Sequence, residues 1–144
     1  MNFRKFFFAA VAVFIIIQIT DFIFHNIIQA ETYNSLKHIW RPDMMDTMWI
    51  MFVVAIVFSV FFVYIFIKGF AAGSIMAGIK YGIIMSFMHP FISALSQYSI
   101  YPLPFNLVLQ WYIFGVIQLT LCGMIVSLIY KVVPAPKTGV KHEN

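Results

Sequence analysis

Charge is what this chain most lacks. Only 10% of its 144 residues are Asp, Glu, Lys or Arg, against 62% that are apolar, whereas soluble domains carry about 25% charged residues. So few charges cannot clothe a domain of this size in water, which excludes an ordinary soluble enzyme or binding module. Cysteine is nearly absent as well: Cys122 stands alone, so no intrachain disulfide can form. Several signatures of chemistry are missing too. There is no phosphate-binding glycine loop, no dinucleotide fingerprint, no paired-cysteine motif and no HExxH, nor the interrupted, inverted helix repeat of secondary transporters. The nine Lys and Arg lie in short stretches between apolar runs rather than along a stripe, which argues against nucleic acid as a partner.

Long apolar runs make up the rest. A membrane crossing takes about 20 mostly apolar residues at a rise of about 1.5 Å each, and four segments qualify, at about 6–29, 47–67, 74–97 and 106–130. In hydrocarbon every backbone N–H must be satisfied within its own segment, so the expected fold is all-α despite the wealth of Phe, Ile and Val. Short links predict a four-helix transmembrane bundle with antiparallel neighbours over residues 1–131, followed by a flexible cytoplasmic tail over 132–144. Arg4 and Lys5 before an apolar run have the outline of a secretory signal. Gln18, Ile19, Thr20 and Asp21 stand where a cleavage site needs small residues, so this segment reads as an uncleaved span.

Orientation follows from the basic residues. With the amino end inside, Arg4, Lys5, Lys68, Lys131, Lys137 and Lys141 share the inner face, joined by Lys80 if it snorkels, against Lys37 and Arg41 outside. That bias predicts both ends in the cytoplasm, with Trp40, Trp49 and Trp111 toward the outer interface. The expected setting is a bacterial cytoplasmic membrane, and the first partner is the lipid bilayer itself.

Ionisable groups within a span are costly and mark candidate sites. Gln18, Asp21, His25 and Gln29 recur three or four apart, on one face of the first helix. Ser86, His89, Ser93 and Ser96 do the same on the third, and Gln110 and Gln118 on the fourth. Depth counting brings Asp21, His25, His89 and Gln110 into the outer part of the bilayer. A carboxylate four residues from an imidazole can fix its tautomer, as a proton relay or a metal-ligating histidine requires; the same pair can also simply satisfy itself. Arg41, beside Trp40 and Pro42, is placed to clamp an anionic group or to reach Asp21, although aromatic anchoring and a proline turn explain that loop without a ligand. His25, His89, Met48 and Met85 form the donor set that a soft ion such as Cu(I) would take. Two histidines on different helices also admit a haem. No cofactor is firmly implied. Gly69 and Gly73, then Gly78 and Gly82, form small-xxx-small pairs suited to close helix packing.

The stretch His25 through Tyr33, the triplet Trp40-Arg41-Pro42, the run Tyr64 to Gly69 followed by Gly78 to Gly82, and Tyr101-Pro102-Leu103-Pro104 together resemble a group of small four-helix bacterial integral membrane proteins without an assigned activity. The resemblance spans most of the chain and implies fold and compartment only. With few intramembrane charges and loops too short for a soluble active domain, the favoured expectation is a non-enzymatic protein. It would act by association, as an accessory subunit of a larger membrane complex or as a homo-oligomer. The alternative is a ligand or ion site for a proton, metal, haem or quinone around Asp21, His25 and His89.

Overall fold

A computed structural model describes residues 2–70 and 74–130; the expected tail and Gly73 lie outside them. Among the described residues every regular element is a helix. Four helices are long and apolar enough to cross a membrane: Phe3–Ile28, Met44–Gly69, Ile75–Ile100 and Phe105–Ile129, here the first to fourth spans. A short helix, Ala30–Ser35, follows the first span. By composition this is a membrane protein, and its outward side chains are those that lipid would bathe.

Local chemistry sets where the helices begin. The first span is capped by Asn2, whose Oδ1 accepts the Lys5 N–H at 3.1 Å, and the third by Ser74, whose Oγ accepts the Ala77 N–H at 3.1 Å. Both serve donors that have no partner inside the helix. Pro104 precedes the fourth span, where its missing N–H costs nothing. The second span begins at Met44, earlier than hydropathy suggests, because Asp46 in its first turn complements the helix dipole and carries the helix into the polar boundary.

The main core lies where the amino half of the first span meets the second and fourth. Ala9, Ala10, Val13 and Ile17 pack with Phe62, Val63 and Phe66 of the second span and with Leu119, Cys122 and Val126 of the fourth. Tyr81 of the third span enters this core fully buried, and its hydroxyl donates to the Phe62 carbonyl at 2.6 Å. The third and fourth spans approach most closely at glycine. A Cβ on Gly78 would come within 2.7 Å of the Gly123 carbonyl carbon, and one on Gly82 within 2.5 Å of the Thr120 Cα. Gly115 makes room for the Pro90 ring in the same way. A smaller cluster closes the other end, where Leu36, Ile39 and Trp40 of the loop pack against Ala94, Leu103 and Val108.

Two spans depart from regular α-helix. Phe22–Ile28 of the first and Phe87–Phe91 of the third are wound as π-helix. In the third the cause is Pro90, which lacks an N–H and whose ring would strike the carbonyl one turn back, so the turn widens to pass it. In the first, widening offsets the drift of a four-residue spacing around an α-helix. Asp21, His25 and Gln29 therefore all stay turned toward the fourth span.

Candidate functional site

The first and fourth spans meet along a ladder of polar and aromatic side chains. At its deep end the Gln118 amide Nε2 donates to Asp21 Oδ1 at 2.7 Å and to Thr20 Oγ1 at 2.8 Å, which uses both of its protons. One step further, Phe24 stacks flat on Phe114, centroids 4.1 Å apart, while His25 meets Phe114 edge-on at 6.0 Å. At the far end the Gln29 amide bonds the Gln110 carbonyl oxygen, and Gln29 is buried. The four-residue spacing of Asp21, His25 and Gln29 thus matches that of Gln118, Phe114 and Gln110.

His25 is held from outside the ladder. Its Nδ1 lies 2.5 Å from the hydroxyl of Tyr33, on the short helix, and the Trp111 indole N–H donates to that same hydroxyl at 2.7 Å. Indole can only donate, so the Tyr33 oxygen is the acceptor there and its own proton is free for His25. A neutral His25 in this chain accepts at Nδ1 and carries its hydrogen on Nε2. Burial pushes the Tyr33 phenol up to about 12, so it remains a donor at any ordinary pH.

His89 occupies the π-helical turn of the third span, beside the Phe58 ring at 5.0 Å. It makes no hydrogen bond among the described residues, and its ring is exposed at the seam between the second and third spans. Among the described residues no hydrogen bond joins the Asp21 carboxylate to His25 or His89: Asp21 is bonded by Gln118 and His25 by Tyr33. His25 follows Asp21 by one turn on the first span, while His89 stands on the third. One turn below Asp21, Gln18 keeps its Nε2 buried with no partner among the described residues. An orphaned donor of this kind costs about 1–3 kcal/mol, so the strip is not fully self-satisfying.

Other expected site residues lie elsewhere. Arg41 pairs with Asp43 rather than with Asp21, Nε to Oδ1 and Nη2 to Oδ2, both at 2.7 Å. This exposed clasp holds the Asp43 carboxyl below its usual range and raises the guanidinium, chiefly through the hydrogen bonds themselves. Met48 is exposed at the start of the second span, while Met85 is buried in the main core. Among the described residues no three His, Cys, Asp or Glu side chains gather closely enough to hold a metal ion. Gly78 and Gly82 sit in the close approach described above, whereas Gly69 has nothing within 4 Å of where a Cβ would be.

Tyr33, Trp111, Gly115 and Gly123 are the participants that sequence reasoning passed over. The two glycines left a trace, being the only ones in the fourth span. Tyr33 left none, since its role depends on a loop folding back over the bundle. No protein-family model, no curated protein and no solved structure matches the chain.

Proposed function

We propose that the chain works through a proton-exchanging site in the membrane, formed by Asp21, His25 and His89, within a multi-pass protein of the bacterial cytoplasmic membrane. The observation that carries this reading is the company Asp21 keeps. It is bonded by the Gln118 amide, with no cationic partner among the described residues and with His25 one turn further along the same helix. A bare carboxylate is costly in a span, and so is a bare imidazolium. A cluster that can pass one proton between them avoids both costs. Gln118 and Tyr33 orient the two groups on the first span, and the exposed edge of His89 offers a route for exchange.

Antiparallel neighbours support this arrangement through the pairings Gly78 with Gly123, Gly82 with Leu119 and Pro90 with Gly115, and through Asp21 with Gln118 and Gln29 with Gln110. The basic residues Arg4, Lys5, Lys68 and Lys80 gather at one end and Lys37 and Arg41 at the other, which favours both termini in the cytoplasm.

Infrared difference spectra of the membrane-embedded protein between acid and neutral pH test the site. A pH-sensitive carboxyl stretch is expected in the wild type and should vanish in Asp21→Asn, which keeps the shape and the bond to Gln118. A spectrum that is the same in both proteins removes the proposal.

Association remains a second reading, on a different observation. Residues 44–54 of the second span are exposed throughout except for half-buried Thr47, so that half of the helix is free to pack on another subunit or on a second copy. Mass measurement after gentle detergent extraction should then find a particle larger than one chain, and a monomer at native expression defeats this reading.

A further inference from the structure

We infer that the groove between the first and second spans is a binding site for an anionic phospholipid of the leaflet facing the amino end, taking one acyl chain along its length and the phosphate at its mouth. The groove has a volume of about 270 Å³. Its walls are Phe7 and Phe14 from the first span and Ile56 and Val60 from the second, over a floor of Ala10 and Ser59. The two small floor residues create the depth. Ser59 presents no free polarity, because its hydroxyl donates back to the Ala55 carbonyl at 2.7 Å. Such a trough suits a hydrocarbon chain and repels a polar ligand.

Charge complementarity selects the headgroup. Arg4, Phe7 and Val11 follow one another at three- and four-residue steps, so Arg4 is placed on the same stripe of the helix as the groove wall, one turn beyond it. Arg4 rests over the Phe8 ring at 6.0 Å, and Lys5 adjoins it. Lys68, held over Tyr64 at 5.9 Å, comes to the same mouth in the proposed antiparallel arrangement. No acidic residue among the described ones accompanies them: Asp21, Glu31, Asp43 and Asp46 all lie toward the other end. At about 1 kcal/mol for each basic side chain at a membrane surface, two or more favour anionic lipid by at least about tenfold.

Native mass spectrometry of the full chain in detergent micelles, with phosphatidylglycerol or phosphatidylcholine of identical acyl chains added, tests the site. The wild type should retain phosphatidylglycerol roughly tenfold better. The triple variant Arg4→Gln, Lys5→Gln, Lys68→Gln should retain the two equally. Val11→Trp adds a ring at the half-open rim rather than in the core, where Val11 is 38% exposed, and should weaken both lipids alike. Equal retention by the wild type overturns the inference, as does a preference that survives the triple variant. Unchanged lipid retention in Val11→Trp would also overturn it, and so would displacement of phosphatidylglycerol by inorganic phosphate alone, which would make this a free-anion site.

Discussion

A single methyl group separates two glycines that look equivalent in the chain. A Cβ at Gly82 would fall 2.5 Å from the Thr120 Cα and 2.7 Å from the Leu119 carbonyl carbon, both backbone atoms of the facing helix that cannot step aside. Gly82→Ala should therefore force the third and fourth spans apart and cost about 1–3 kcal/mol. Gly69→Ala meets open space and should be neutral or stabilising by up to about 1 kcal/mol, since alanine loses less backbone entropy in a helix. Unfolding of both variants in one detergent compares them directly, and equal losses would mean that the two spans do not pack through backbone contact. Asp21 and Gln118 show the same dependence on a partner. Each can be seen in the sequence as an intramembrane polar residue, but neither reveals there that a single amide serves both Asp21 and Thr20.

At the scale of the helix, each of the two π-helical turns carries one of the two intramembrane histidines. The turn around Pro90 has a simple cause, and that cause can be removed. Pro90→Ala restores an N–H and relieves the clash with the Ser86 carbonyl, so Phe87–Phe91 should tighten toward α-helix and rotate His89 relative to Phe58. Amide hydrogen exchange over this segment is expected to slow in the variant, and exchange as fast as in the wild type would show that the widened turn does not depend on the proline. The turn around His25 has no proline. Its wide winding keeps a four-residue series in line with the fourth span, a demand made by the neighbour and invisible in the segment itself. Element type and approximate extent were legible from apolar run length alone; these irregularities were not.

For the whole molecule, lipid as solvent dictates the architecture and the ends dictate the orientation. If both termini are cytoplasmic, as proposed, a cysteine placed at Asn34, exposed on the short helix, should react with a membrane-impermeant thiol reagent in intact cells. One placed at Lys68 should react only after lysis, with buried Cys122 silent in both cases. The reverse pattern would invert the topology and put the Asp21 cluster in the cytoplasmic half. The amino-acid order was enough to establish an all-helical protein with four helices long and apolar enough to cross a membrane, because satisfying a backbone in hydrocarbon depends only on the length and polarity of a continuous stretch. It could not decide which polar groups meet. Asp21 and Gln118 are 97 positions apart, and Tyr33 and Trp111 are 78 apart; Arg41, a few residues from Tyr33, turned instead to its near neighbour Asp43. Helices that are apolar on every side carry no instruction about which face to turn inward, so rotation and register are settled only when the four pack, by glycines that permit close approach and by hydrogen bonds that lipid cannot replace.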